Sequence, residues 1–202
     1  MSLSLFSAVK VVRAIIGARP SLRPGVRNVA VIADLDNISI SLAEYGKRPD
    51  WHALHDFASR KGKVVAAEAF GETRSTAGYQ SFVGALTKMG YKVHLSPATE
   101  GYHFRKAAPV DHSLVARTMA LLLDYQIDEI LISSGDADFL PLIAELRSRG
   151  VVVTLVAPDG CTSRKLAAAA DEVVSFTQVG TTRLNSTVLM NRRPAVASAQ
   201  AH

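Results

Sequence analysis

From Val29 onward the chain alternates between short apolar runs and stretches whose apolar residues recur every three or four positions. "VAVIAD" (29–34) is rich in β-branched residues and reads as a strand. "WHALHDFASRKG" has helical spacing and closes at Gly62. The same reading makes "KVVAAEAF" a second strand, "GYQSFVGALTKMG" a helix ending at Gly90, "YKVHLSP" a third strand and "DHSLVARTMALLLDYQ" a long helix. "DEILISSG", the helix "DFLPLIAELRSRG", the strand "VVVTLVAP" and a short helix in "SRKLAAAADEVVSF" leading to a last extended piece complete the series. Strands alternating with helices of roughly 10 to 15 residues predict an α/β domain, a mainly parallel sheet of five to six strands in a three-layer α/β/α arrangement. The predicted organisation is a basic N-terminal extension over 1–25, one domain over 26–180, and a flexible basic tail over 181–202.

Between the third strand and the long helix, "SPATEGYHFRKAAP" has no clear period and carries Tyr102, His103, Phe104, Arg105 and Lys106. Loops of that length are often functional.

Charge changes this picture in one respect. The formal net charge is +5, yet the 33 residues before Asp34 hold five bases and no acid, and the 30 after Glu172 hold three bases and no acid. Of 23 bases, 15 remain to face all 18 acids, so the stretch from Asp34 to Glu172 is about −3. Basic ends can hold phosphate backbones by charge alone, or be solvated tails. Residues 1–25 are apolar, serine- and arginine-bearing, and open to two readings: a helix packing on the domain or on a protein partner or second copy, or an organelle transit peptide. Cys161 is the sole cysteine, which rules out an intramolecular disulfide and a cysteine zinc cage and suits a reducing compartment. No segment has the roughly 18 uninterrupted apolar residues of a membrane span. The expected location is the cytoplasm, or an organelle if the opening segment is a transit peptide.

The chemistry is carried by aspartates. In open parallel sheets, ligands gather outside the carboxyl ends of the strands. "IADLDN" puts Asp34, Asp36 and Asn37 at one such end, and "SSGDAD" puts Asp136 and Asp138 at another. Asp111 heads the long helix after the third strand. Two like charges about 4 Å apart repel by roughly 4 kcal/mol at an effective dielectric near 20. Carboxylates gathered in one cleft therefore take up protons or hold a cation, and hard oxygen ligands suit Mg2+ or Mn2+. Each residue also has a plainer reading: Asp138 as the cap of the following helix, Asp136 as a turn residue, Asp111 as a cap. Asp34 has no evident structural use at the end of an apolar strand.

"VAVIADLDN", then "VD" opening a long helix, then "ILISSGDADFLPLIAELRSRGVVVTLVAP", resembles the NYN-domain family, a branch of the PIN-like metal-dependent ribonucleases. The resemblance spans roughly Val29 to Phe176. It implies a Rossmann-like, PIN-like fold, Mg2+ or Mn2+ as cofactor, and hydrolysis of RNA phosphodiesters. Carried over by position, Asp34, Asp111, Asp136 and Asp138 are the metal-binding and catalytic acids and Asn37 is their partner. Asp36, Ser133 and Ser134 are outer-shell groups. Many members have a further aspartate in the long helix, where this chain has Arg117 and Thr118; helical geometry puts Thr118 on the face shared with Asp111. Arg74, Arg105, Lys106 and Arg117 are candidate RNA contacts, with Tyr102 a stacking platform for unpaired bases. The expected partner is RNA, single-stranded; DNA stays open as a substrate. Two alternatives stand beside the ribonuclease. One is a regulatory module of the same fold that binds RNA or protein without cutting. The other takes "DLDN" as the D-x-D of a haloacid-dehalogenase-like phosphatase, with Asp34 as nucleophile and Asp36 as acid.

Overall fold

The computed structural model describes residues 25–97 and 109–183. The N-terminal extension, the loop residues Tyr102, His103, Phe104, Arg105 and Lys106, and the tail beyond Arg183 lie outside the described residues. Six strands form one parallel sheet in the order β4-β3-β1-β5-β6-β7: β1 (Asn28–Asp34), β3 (Lys63–Glu72), β4 (Lys92–Ser96), β5 (Glu129–Ser133), β6 (Val152–Ala157) and β7 (Glu172–Ser175). The first half of the chain builds outward from β1 to β4 and the second half returns to the other side of β1. Strand order thus reverses between β1 and β5, whose carboxyl ends carry the two aspartate motifs.

Alternation along β1 sorts its side chains onto two cores. Val29, Val31 and Ala33 face one side, where they pack with α1 (Leu35–Glu44), α2 (Trp51–Lys61) and α3 (Ala77–Lys88) through Ile38, Leu42, Leu54 and Leu86. Ala30 and Ile32 face the other, against α4 (Pro109–Asp124), α5 (Leu140–Ser148) and α6 (Arg164–Ala169) through Leu114, Met119, Leu142, Ile143 and Leu166. Continuing that period of two, Asp34 falls on the α4 side. The two apolar faces make the three layers expected of a sheet buried on both sides.

Three features depart from the expectation. A helix, α1, begins directly after Asp34, where no helix was predicted. A two-stranded antiparallel ribbon joins β2 (Lys47–Pro49) to β8 (Thr181–Arg183), with Lys47 opposite Arg183, so paired structure continues past residue 180. After the expected short helix α6 and the extended piece β7, a further four-residue helix α7 (Phe176–Val179) opens on a Ser175 capping box. Among the described residues, no helix is long and apolar enough to cross a membrane.

At the amino end of the sheet Glu129 is buried, paired with Lys61 Nζ at 2.9 Å and accepting from Thr154 Oγ1 at 2.7 Å. A buried carboxylate stripped of its cation is costly. Lys61→Ala should therefore lower unfolding free energy by roughly 3 kcal/mol, measured by urea denaturation; a loss within 0.5 kcal/mol, the usual range of surface changes, would show that Arg27, 3.5 Å away, suffices.

Candidate functional site

The site is built where β1 and β5 end side by side. Asp34 is 5% exposed and serves as the N-cap of α1: its Oδ1 accepts from Asn37 N at 3.1 Å. The acid that had no evident structural use thus has one, hidden because the helix it caps was not foreseen. Its other oxygen, Oδ2, accepts from Ser134 Oγ at 3.2 Å. Ser134 Oγ in turn accepts from Asp136 N at 3.2 Å, and Asn37 Oδ1 accepts from Gly135 N at 2.9 Å. Asp34, Asn37, Ser134, Gly135 and Asp136 therefore form one hydrogen-bonded unit across the switch point.

Gly135 is required there by a close approach. A Cβ on it would lie 2.7 Å from the carbonyl oxygen of Cys161, so only glycine lets the loop after β6 pass over the rim. Ser133, fully buried one residue earlier, has a hydroxyl with no hydrogen-bond partner among the described residues, so it satisfies no backbone group as its neighbour does.

Burial pushes the Asp34 carboxyl up to about 7; the hydrogen bond from Asn37 N opposes the rise, the charge of Asp111 adds to it, Ser134 opposes it and Asp36 adds a last increment. Asp111 lies in the first turn of α4, inside the helix rather than capping it, and its charge is felt at Asp34. The other buried acids are neutralised in place: Glu68 by Arg117, Glu129 by Lys61, Glu145 by Arg149. Among the described residues Asp34 has no such cation.

The remaining predicted residues divide by position. Asp136, half-buried, caps the 3-10 turn Ala137–Phe139 by accepting from Asp138 N at 2.9 Å. Capping in "GDAD" is thus the work of Asp136, while Asp138 is exposed and the helix α5 has no side-chain cap. Asp36 is not part of the buried unit. It accepts from Glu72 N at 2.7 Å and forms an ion pair with Arg74, tying the start of α1 to the end of β3. That pairing commits both Asp36 and Arg74 to joining α1 to the end of β3.

Arg117 is turned to β3, where it holds buried Glu68 through Nε at 2.9 Å and Nη2 at 2.8 Å and reaches Asp124 at 3.0 Å. Thr118 is fully buried and donates to the Leu114 carbonyl at 2.7 Å. Neither supplies an acid to the rim. Among the described residues, no group of three or more His, Cys, Asp or Glu is arranged to hold a metal ion. Tyr102, Arg105 and Lys106 lie outside the described residues.

Residues 28–179 match the NYN domain family. The chain belongs to the NYN domain family. Membership agrees with the PIN-like, Rossmann-like fold described above. It is 24% identical over 159 residues to the low amplitude and bright protein LabA of Synechococcus elongatus, covering 75% of this chain and 84% of that protein. Its fold resembles the crystal structure of a Vibrio parahaemolyticus protein of unknown function, with a TM-score of 0.70 and 21% identity over 80% of this chain and 99% of the other.

The raised Asp34 carboxyl predicts a pH-dependent stability. An acid whose folded value lies above its unfolded 3.8 binds its proton more tightly when folded, so stability falls as pH rises from about 4 to about 7. Each tenfold difference in proton affinity between the folded and unfolded states is worth about 1.4 kcal/mol. Asp34→Asn, lacking that charge, should gain on the native sequence across this window in chelator, read as unfolding midpoints at pH 5 and pH 8. Equal differences at the two values would show that burial does not penalise the charge.

Proposed function

We propose that this NYN domain is a metal-dependent ribonuclease that hydrolyses phosphodiester bonds of single-stranded RNA at the rim centred on Asp34. The reading rests on one observation above all: a buried carboxylate at the switch point of a parallel sheet, facing a second acid and lacking a basic partner among the described residues. Family membership supports the same substrate class.

Mg2+ is commonly held by one or two carboxylates, with water and substrate phosphate completing its shell. Asp34 and Asp111 match that demand, with Asp136 beside them through Ser134, better than they match a closed protein cage. A bound Mg2+ or Mn2+ supplies an activated water and neutralises charge on the phosphate. The chain's own residues prepare the site. Asn37 N and Ser134 Oγ fix both oxygens of Asp34, so its carboxylate keeps one orientation. Asn37 Oδ1 locks the β5 end through Gly135 N, which keeps Asp136 in register with Asp34. Asp138 is the exposed acid of the late pair, placed to meet an incoming strand rather than the buried unit.

A second reading has a specific observation in its favour. With Arg117 and Thr118 where many family members carry an aspartate, and no three-ligand group among the described residues, the domain would bind RNA or a protein without cutting it.

Cleavage of labelled single-stranded RNA separates the two. The ribonuclease reading expects cutting with Mg2+ or Mn2+ that chelator abolishes, and a fall of about 10²-fold or more in Asp34→Asn, a variant expected to keep its fold. RNA binding without cleavage in either ion would leave the binding module.

A further inference from the structure

Beside the rim lies a cavity of about 500 Å³, bounded by α1, the start of α2, α3 and the β2–β8 ribbon. Its size is that of a small-ligand pocket. Leu35, Trp51, Phe82 and Met89 give it apolar walls, while Lys47, Arg48 and Arg74 bring cations to it. It shares Leu35 and Asp36 with the first turn of α1, the helix that Asp34 caps, so one of its walls is the residue next to Asp34 in the chain.

The charges in the cavity are unequally committed. Its two acids are used: Asp36 by Arg74 and Glu72 N, and Asp50 as the N-cap of α2, accepting from Ala53 N at 3.0 Å. Lys47 Nζ donates to Thr177 Oγ1 at 3.3 Å and its charge is also felt at Asp159, while Arg48 Nε donates to Thr182 Oγ1 at 2.8 Å, a neutral partner that cancels no charge. The cavity is therefore apolar within and positive at the ribbon, complementary to a ligand with a flat apolar body and an anionic group.

The Tyr79 hydroxyl is buried and has no hydrogen-bond partner among the described residues. A Cβ on Gly71 would lie 3.2 Å from this hydroxyl and 3.2 Å from Asp36 Oδ2, so glycine there makes room for both groups where the cavity adjoins the rim. Tyr79 and Phe82 lie with ring centroids 6.0 Å apart, and Arg74 covers Tyr79, leaving Phe82 as the ring a base would meet.

We propose that this cavity is a nucleotide subsite, taking one unpaired ribonucleotide next to the bond cut at Asp34, with its base on the Phe82 wall and its phosphate at Arg48 and Lys47. The proposal rests on the ribonuclease reading above and adds to it a binding site for one nucleotide of the substrate. A base can enter such a pocket only when splayed out of a helix, which selects single strands over duplexes. Stacking tolerates any base, so the subsite favours unpaired RNA without dictating sequence.

Trp51 is the sole tryptophan and lines the cavity, so its emission reports occupancy. The full chain in chelator would be titrated with adenosine 5′-monophosphate and, separately, with inorganic phosphate, following emission and binding heat together. The expected result is saturable binding of the nucleotide, much weaker binding of phosphate, and at least fivefold weaker nucleotide binding in Arg48→Gln and in Phe82→Leu. Arg48 is exposed, so its variant keeps the test valid if Phe82→Leu fails to fold. Absence of both signals, equal binding of phosphate, or an unchanged affinity in Arg48→Gln would overturn the proposal. Manganese binding that depends on Asp34, with no nucleotide binding, would sink the subsite alone; nucleotide binding with neither manganese binding nor cleavage would sink the hydrolytic reading.

Discussion

The structure turns on a carboxylate kept out of water with no counter-charge among the described residues. Asp34 is held by a backbone N–H and a serine hydroxyl, and burial with two neighbouring acids drives its proton affinity up to about 7. Glu68, Glu129 and Glu145 show the ordinary solution to acid burial in the same domain, each with an arginine or lysine against it. Two solutions in one chain mean that the sheet can place cations where they neutralise acids. At the switch point it places hydrogen-bond donors instead, which fix the geometry and leave the charge unanswered.

That constraint organises its surroundings. The Asp34 cap starts α1, α1 brings Asn37 to Gly135, and the absence of a side chain at Gly135 admits the Cys161 loop. Asp36, two residues on, faces away from the buried unit to tie down the end of β3 with Arg74. Two residues of chain therefore separate a carboxylate held by neutral donors from one spent on an ion pair, and the helix they open forms a wall of the adjoining cavity.

Much of this was legible in the sequence. The six sheet strands and the helices from Trp51 onward follow apolar runs and helical periods that tertiary packing did not override. The Asp34 and Asp136 motifs were placed at strand ends because parallel strands put their ligands there. Other parts were not legible. "LDNISISLAE" carries two serines and two isoleucines, residues of middling helix propensity, and its helix depends on Leu35, Ile38 and Leu42 packing on the sheet. The β2–β8 ribbon pairs "KRP" with "TTR" across the length of the domain, and neither segment has a strand's apolar pattern. Without α1, the capping role of Asp34 could not be seen, and without the ribbon, neither could the cavity. Arg74 and Arg117 looked like phosphate contacts because their acidic partners, Asp36 and Glu68, are distant in sequence.

The central claim is that the Asp34 carboxylate is a place for a divalent cation. Anomalous diffraction from crystals soaked in manganese tests it most directly. The account predicts a peak about 2.1 Å from carboxylate oxygens of both Asp34 and Asp111, absent in crystals of Asp34→Asn. A native crystal with no peak there, at a concentration that fills other manganese sites, would contradict it.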